Sequence, residues 1–197
     1  MIDPDATAQA KRELRAALRP QRLALAPAMR MAAAESIATT LLAHPLFPAS
    51  GYIAGYWAMG GEVPLHVLQM RLGAARIWCL PCIQDDGSLR FAPWVPGDEL
   101  VSNRFGIPEP TLSSTSSLPA GEMAAVLLPL LGFTRAGQRL GMGGGYYDRS
   151  LAFRIGQAAP PLLVGVGYAM QELETLPTDP WDVALDAVVT ERELIIR

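Results

Sequence analysis

Apolar positions in the first quarter of the chain recur at the spacing of amphipathic helices. Residues 7–25 form one such pattern, in which the leucines at positions 14, 18 and 25 can share a face. Pro20 lies inside this segment and is expected to kink or end the helix, because proline lacks an N–H group and its ring clashes with the preceding turn. Pro27 suits the first turn of a second helix, which we expect to run to about residue 43.

Short apolar segments farther along the chain predict strands separated by helices. Residues 124–129 are continuously apolar, which is typical of a strand buried on both faces. Alternation of strands with helices indicates a three-layer α/β/α fold with a largely parallel central sheet, and we expect one domain over residues 1–197. The other predicted strands are residues 52–57, 76–80, 89–94, 162–167 and 187–190, and the other predicted helices are residues 64–72 and 146–154. A Ser/Thr-rich surface loop is predicted at residues 111–117 and a glycine-rich loop at residues 132–145.

Composition and charge narrow the function classes. Half of the 197 residues are apolar and 18% are charged, which is typical of a globular chain with a sizeable core. The net charge of -3 gives no overall attraction for nucleic acid or for an anionic membrane. The longest apolar run, residues 124–131, contains Pro129 and is far too short to span a bilayer, and acidic residues near the start do not resemble a signal peptide. We therefore expect a cytoplasmic protein without nucleic acid or membrane partners.

The only two cysteines, Cys79 and Cys82, form a C-L-P-C pattern. A redox dithiol is one interpretation, and the end of a buried strand is the other. A thioredoxin-type pair opens a helix, whereas turn-forming residues follow at positions 85–87, which favours the strand. The chain has no second pair of cysteines that would complete a zinc site.

A glycine-rich segment, residues 140–145, lies between a predicted buried strand and a predicted helix. Four glycines there allow backbone N–H groups to converge on one anion, and a following helix N-terminus adds positive partial charge. The segment lacks the Gly-Lys-Ser/Thr ending of a Walker A loop, and it comes too late in the chain for a dinucleotide fingerprint. A merely flexible loop is the alternative. The flanking Arg139, Tyr146, Tyr147 and Asp148 favour a ligand site, because these side chains pair with phosphate, stack on rings and bind Mg²⁺.

Charged residues elsewhere offer further candidates. Lys11 and Arg15 are four residues apart and share a helix face, which Arg19 and Arg22 extend; a solvated basic face is the alternative. Glu62 follows two glycines at the end of a predicted strand, where α/β sheets usually place their sites, although it could instead complement a helix N-terminus.

Two late aspartates and two histidines complete the set of candidates. Asp182 and Asp186 are four residues apart, with capping carboxylates as the alternative interpretation. His44 and His66 fall at a helix end and on a helix surface, and no Ser/His/Asp or Cys/His arrangement is apparent.

The stretch R-L-G-M-G-G-G-Y-Y-D at residues 139–148 strongly resembles the loop of 5-formyltetrahydrofolate cyclo-ligases, also called methenyltetrahydrofolate synthetases. Met142 and Gly144 stand where some members carry a basic residue, and Phe105 stands where some have tryptophan. The resemblance runs nearly end to end and includes, in the family's order, K-R-E-L-R at 11–15, G-E-V at 61–63, N-R-F-G-I-P-E-P at 103–110, L-P-L-L-G-F at 128–133 and P-W-D-V-A-L-D at 180–186.

The resemblance implies ATP-dependent cyclisation of 5-formyltetrahydrofolate to 5,10-methenyltetrahydrofolate, with release of ADP and phosphate. It also implies the roles of particular residues. Asp148 and Asp182 would bind Mg²⁺, Arg139 and Tyr147 would act in catalysis, and Glu62, Phe105, Tyr146 and Tyr147 would bind folate. The implied ATP-binding residues are Lys11, Arg15, Arg139, Leu140, Gly141, Met142, Gly143, Gly144, Gly145, Tyr146 and Tyr147.

Two other classes of function compete with this interpretation. A non-catalytic folate- or nucleotide-binding protein would bind without turnover, and a sugar-phosphate isomerase would bind phosphate without requiring ATP. The presence of both phosphate-binding and metal-binding motifs favours the ligase over each of them.

Overall fold

A seven-stranded sheet forms the middle layer of the molecule. The computed structural model describes residues 4–111 and 116–197 of the chain. The strands are β1 (Gly51–Ala54), β2 (Arg76–Ile83), β3 (Leu89–Pro93), β4 (Leu100–Ser102), β5 (Pro108–Pro110), β6 (Met123–Pro129), β7 (Gly132–Phe133), β8 (Arg139–Leu140), β9 (Leu162–Val166), β10 (Ala187–Val189) and β11 (Leu194–Ile196). The helices are α1 (Pro4–Leu23), α2 (Pro27–Ala43), α3 (His66–Arg71) and α4 (Tyr146–Leu151), with short 3-10 turns at Ala120–Glu122, Ala152–Arg154 and Ala169–Gln171.

The sheet has the strand order β11–β10–β9–β6–β1–β2–β3. Its five central strands are parallel, and the two edge strands run antiparallel to their neighbours. Side chains alternate between its faces: Leu127 of β6 packs with α2 and α3 on one face, whereas Val126 packs with α4 on the other. The predicted three-layer α/β/α fold with a largely parallel sheet is confirmed.

Helix α2 has the bounds that the sequence predicted, and α1 does not end at Pro20. Helix α1 continues to Leu23, and Ala24 still donates to the carbonyl of Pro20. A small apolar cluster secures α1 against the β7–β8 ribbon, because Leu18 packs there with Leu131 and Leu140. Among the helices of the described chain, none has both the length and the apolar composition that crossing a membrane requires.

Strand β2 is longer than predicted and contains both cysteines. Pro81 is accepted inside it because β1 ends opposite Cys79, so the missing N–H of Pro81 faces no neighbouring strand on that side. Cys79 and Cys82 are three residues apart in a strand and therefore point to opposite faces. Burial raises the pKa of Cys79 to about 12 and that of Cys82 to about 11. Both are free thiols, and side chains on opposite faces of a strand do not form the adjacent pair that a redox dithiol requires, which favours the buried-strand interpretation.

Several short elements escaped the sequence analysis. The β4–β5 hairpin, β11 and the β7–β8 ribbon have two or three residues per strand, too few for an alternating pattern to be recognised. The β7–β8 ribbon lies in a region predicted to be loop throughout. Most of the predicted serine-rich loop at 111–117 lies outside the described residues.

Candidate functional site

Helix α1 lies against the glycine-rich segment, although the two are more than a hundred residues apart in sequence. Arg15 Nε donates to the carbonyl oxygen of Gly141 at 2.9 Å, and Arg22 Nη2 lies 3.8 Å from Sδ of Met142. Positions 11, 15, 18 and 22 follow one another at intervals of four, three and four residues, so one face of α1 carries Lys11, Arg15, Leu18 and Arg22. The fold therefore brings the N-terminal cations to the segment that the sequence predicted to hold phosphate.

The glycine-rich segment adopts a backbone that side chains would disturb. Gly143 and Gly145 have φ values of 94° and 69°, in the left-handed region that favours glycine. A Cβ atom on Gly143 would also lie 3.2 Å from Cζ of Arg15, so glycine permits the close approach of α1. Helix α4, which follows, has only six residues and supplies little dipole. Most positive charge at this segment therefore comes from arginine side chains.

Lys11 is buried between two carboxylates. Its Nζ lies 2.7 Å from Oδ2 of Asp179 and 2.5 Å from Oδ2 of Asp182, and the residue is 7% exposed. Asp182 also accepts a hydrogen bond from the backbone N–H of Asp179 at 2.8 Å, which stabilises the turn at residues 179–182. The alternative of a solvated basic face is wrong for Lys11, and Asp179 is a partner that the sequence analysis did not identify.

Asp148 is held by the residue that directly follows Asp182. Its Oδ1 accepts the backbone N–H of Val183 at 3.2 Å and a short hydrogen bond from Arg139 Nη2, while Arg139 Nε donates to the carbonyl of Val183. Asp148 and Asp182 thus belong to adjoining parts of one cluster. Asp186 does not join them, because it pairs with the buried Arg154 and accepts the N–H of Leu163.

The donor set is suited to a cation that a nucleotide helps to hold. Within the described ranges, no three or more His, Cys, Asp or Glu side chains converge to form a metal site made of protein ligands alone. Asp148 and Asp182 each use one carboxylate oxygen in the hydrogen bonds described above. Mg²⁺ is commonly bound by one or two carboxylates together with phosphates and waters. These two aspartates fit that pattern.

The turn that follows β1 carries Glu62. Gly60 and Gly61 have φ values of 54° and 81°, and Glu62 Oε2 accepts the N–H of Met59 at 2.9 Å. Burial raises the pKa of Glu62, while the N–H of Met59 and the charge of Arg22 oppose the shift. Helix α3 begins only at His66, so the carboxylate stabilises its own turn and the alternative of a charge in a helix's first turn is wrong.

Arg22 joins this turn to the rest of the site. It is 2% exposed, its Nε donates to the carbonyl of Gly60 at 3.0 Å, and its Nη1 donates to the carbonyl of Leu130 at 3.1 Å. Nη1 also lies 3.6 Å from Oε1 of Glu62. The sequence analysis treated Arg22 only as part of a basic stripe. Its position three helical turns after Lys11 was the available signal, because Arg19 is off this face and exposed.

Two tyrosines donate hydrogen bonds to the Glu62 turn, and burial raises the pKa of both and of a third tyrosine, Tyr147. Tyr56 Oη donates to the carbonyl of Val63 at 2.9 Å, and Tyr168 Oη donates to that of Gly61 at 3.2 Å. Burial raises the pKa of Tyr168 to about 12. Burial also raises the pKa of Tyr147, the charge of Glu62 adds to this shift, and Arg139 opposes it. The hydroxyl of Tyr147 therefore keeps its proton and is not a base.

The other predicted aromatic residues meet at the outer edge of the glycine-rich segment. Phe105, at the tip of the β4–β5 hairpin, contacts the ring of Tyr146 edge-on, with 5.9 Å between ring centroids and 77° between planes. Phe105 is 52% exposed, so one of its faces is open. Trp57, just after β1, has a similar edge contact with Trp94 and is also partly open.

The chain is similar to known proteins over almost its whole length. The family model described as the 5-formyltetrahydrofolate cyclo-ligase family matches residues 7–191. The chain is 35% identical to the 5-formyltetrahydrofolate cyclo-ligase of Escherichia coli K12 over 177 residues, which cover 88% of this chain and 96% of that protein. It is 30% identical to the Mycolicibacterium smegmatis cyclo-ligase over 196 residues, covering 95% and 97% of the two chains. The NMR structure of Aquifex aeolicus 5,10-methenyltetrahydrofolate synthetase superposes with a TM-score of 0.79 at 30% identity, covering 94% of this chain and 92% of that one.

Proposed function

The chain belongs to the 5-formyltetrahydrofolate cyclo-ligase family, and we propose that its active site lies where α1, the glycine-rich segment and the Glu62 turn meet. The reaction is the ATP-dependent cyclisation of 5-formyltetrahydrofolate to 5,10-methenyltetrahydrofolate. The observation that carries this location is the contact set of Arg22, which reaches Gly60 on one side and Met142 on the other. A folate on the Glu62 side and a triphosphate on the glycine-rich side would then be neighbours, as transfer of phosphate between them requires.

The chemistry needs activation of a poor leaving group. The γ-phosphoryl group of ATP moves to the formyl oxygen, which forms a new O–P bond and releases ADP. N10 of the substrate then attacks the formyl carbon, the bond from that carbon to the phosphorylated oxygen breaks, and phosphate leaves as N10 loses its proton. No covalent protein nucleophile takes part, and the raised pKa of each cysteine thiol agrees with this. The protein's tasks are to position the groups and to neutralise charge.

The phosphate side of the site is basic and backed by carboxylates. Arg15 and Arg139 are the cations proposed to contact the triphosphate, with the backbone N–H groups of the glycine-rich segment. Lys11 would act there through its field and by orienting Asp182. Asp148 and Asp182 would hold Mg²⁺, whose contribution when bound is to offset the negative charge of the phosphates.

The folate side is acidic and aromatic. Glu62 is proposed to accept hydrogen bonds from N–H groups of the folate, because its carboxylate is largely buried and only partly neutralised by Arg22. Tyr147, whose hydroxyl keeps its proton, would donate to an oxygen of the reacting group. Arg139, near Tyr147, would stabilise the charge that develops on the transferring phosphoryl group. Phe105 and Tyr146 offer ring surface for stacking.

The deciding experiment mixes the purified protein with Mg-ATP and 5-formyltetrahydrofolate and follows methenyl absorbance together with ADP release. ATP-dependent product formation is the expected result. Binding of both ligands without product would favour a non-catalytic binding protein. Turnover of a sugar phosphate without ATP would favour an isomerase.

A further inference from the structure

The tip of the β4–β5 hairpin is fastened to the glycine-rich segment by a residue that has no role in the site described so far. Arg104 Nη2 donates to Tyr146 Oη at 3.1 Å, and its guanidinium lies over the ring of Phe105, 5.1 Å from the centroid. Tyr146 begins α4, directly after the last glycine of the segment. Arg104 therefore connects the hairpin to the segment on which the triphosphate is proposed to bind.

Side-chain hydrogen bonds hold the β4–β5 hairpin in a defined conformation. Asn103 Oδ1 accepts the N–H groups of Phe105 and Ile107 at 2.8 and 3.1 Å, which fixes the turn at the tip. Asn103 Nδ2 donates to Glu109 Oε1, and the same oxygen accepts the N–H of Ile83 at the end of β2. The base of the hairpin is thus held to the central sheet, and its tip is held to the glycine-rich segment by the contacts of Arg104 and Phe105 with Tyr146.

An ion pair does not account for the position of the Arg104 side chain. In the part of the chain that the structure describes, no carboxylate lies within ion-pair distance of its guanidinium. Arg149 occupies the face of the Tyr146 ring, 5.2 Å from the centroid, and also donates to the carbonyl of Gly144. Tyr146 is consequently held from two sides, by Arg149 within its own helix and by Arg104 from the hairpin.

We infer that Arg104 is a positioning residue that closes the hairpin tip over the glycine-rich segment and keeps water from the phosphorylated substrate. This inference rests on the proposed function. The reaction has an intermediate whose formyl carbon either N10 or water can attack. When water attacks, a bond from carbon to the water oxygen forms, the bond from carbon to the phosphorylated oxygen breaks, and phosphate leaves. The formyl group is restored, one proton of the water passes to the leaving phosphate and the other to solvent, and the net reaction is hydrolysis of ATP to ADP and phosphate.

The test is the number of ADP molecules released for each methenyl product formed, measured in one reaction. The wild-type ratio is expected to be close to one to one. In Arg104→Ala we expect the ADP released in excess of product to rise about fivefold, because loss of one ordinary hydrogen bond that holds the closed state raises the population of the open state by about that factor. Tyr146→Phe, which keeps the ring and removes the hydroxyl acceptor, should raise the ratio similarly. The double variant should be no worse than either single variant, because both remove the same contact. Arg12→Ala is the matched control and should keep the wild-type ratio, because Arg12 is exposed and donates to Gln9 of its own helix.

The outcomes separate this inference from the proposed function. A wild-type protein that makes no ATP-dependent product would refute both. A wild-type protein that makes product while Arg104→Ala keeps the one-to-one ratio would overturn only the inference. A raised KM for folate or ATP with an unchanged ratio would instead make Arg104 a ligand contact, and would also overturn it. Arg104 is exposed, so its replacement is not expected to prevent folding.

Discussion

The guanidinium of Arg22 lies 3.6 Å from the carboxylate of Glu62, and both groups are largely buried. Arg22 belongs to α1 and Glu62 to the turn after β1, so this pair holds a helix from the start of the chain on the central sheet. Arg22 also contacts Gly60, Leu130 and Met142, which come from three separate segments. A single side chain therefore fixes the distance between the proposed folate side and the proposed phosphate side of the site.

Replacing Arg22 with alanine should damage stability and binding of both substrates. The change removes the donor to the carbonyl of Gly60 and one of the two side-chain donors to the carbonyl of Leu130, which Gln171 Nε2 still reaches at 2.8 Å. It also leaves the buried carboxylate of Glu62 without its cation, and we expect the loss to cost about 3 kcal/mol of unfolding free energy. Denaturant unfolding measures this loss, and the KM values for folate and ATP should both rise. Arg19→Ala is the control on the same helix, because Arg19 is exposed. If Arg22→Ala unfolds like wild type, the joining role is refuted.

Glu62→Gln should weaken binding of folate and leave binding of ATP nearly unchanged. Loss of a hydrogen bond to a buried charged group costs roughly 1.5–3 kcal/mol, which corresponds to a decrease in affinity of at least tenfold. Isothermal calorimetry with each ligand separately measures the effect. Weaker ATP binding with normal folate binding would reverse the assignment.

The raised pKa of Glu62 also predicts the pH dependence of folate binding. Burial raises the pKa of this carboxyl, so it takes up its proton at a higher pH than an exposed glutamate does, and a protonated carboxyl is a poorer acceptor. Folate affinity should therefore fall as the pH is lowered through the weakly acidic range, and Glu62→Gln should flatten this part of the profile. An identical profile in the two proteins would exclude Glu62 as its source.

The same pKa shift affects folding stability with a definite sign. Because the pKa of Glu62 is higher in the folded protein than in the unfolded chain, its protonated form favours folding. This contribution is fully present below the unfolded pKa and is lost as the pH rises through the folded pKa. Unfolding of wild type and Glu62→Gln at several weakly acidic pH values should show wild type losing more stability as the pH rises. If wild type instead gained stability relative to Glu62→Gln as the pH rises, the raised pKa of Glu62 would be contradicted.

Asp148→Asn and Asp182→Asn should each raise the Mg²⁺ concentration that half-maximal turnover requires. Both carboxylates belong to one cluster next to the glycine-rich segment, and a neutral amide is a weaker ligand for this cation. Titration of activity with Mg²⁺ at fixed ATP measures the change. Asp85→Asn, at an exposed position in the β2–β3 turn, is the control. An unchanged Mg²⁺ dependence in both site variants would rule out the pair.

Lys11→Ala and Arg15→Ala should both impair use of ATP but differ in stability. Lys11 separates two carboxylates, so its loss leaves them unneutralised and should cost about 2 kcal/mol of unfolding free energy. Arg15 is less buried and bonds only to the carbonyl of Gly141, so its loss should cost less, about 1 kcal/mol. Steady-state kinetics with varied ATP and thermal unfolding measure the two effects. Arg12→Ala is the control and should match wild type in ATP kinetics and in thermal stability. If Lys11→Ala and Arg15→Ala also show normal ATP kinetics, α1 has a structural role only.

The lengths of sequence patterns explain which elements were predictable. Helix α2 and strand β6 were predicted nearly to their ends, because each is long enough to show a pattern of its own and is bounded by proline. The β4–β5 hairpin was missed because its strands have three residues each, and the extension of β2 through Pro81 was missed because a proline usually breaks a strand. Strand β2 can contain Pro81 because the neighbouring strand β1 has already ended there, and no local sequence pattern reveals where β1 ends.

The sequence by itself determined the fold class, the glycine-rich segment and the position of Glu62 after a strand, since backbone propensity and the spacing of glycines are local properties. Only the tertiary structure decided which charges meet. Lys11 pairs with carboxylates 168 and 171 positions away, and Arg22 reaches a carbonyl 108 positions away. Such contacts depend on how the sheet and α1 pack around the apolar core. Before folding, these cations look like any exposed basic stripe; packing removes their water and selects the partners that replace it.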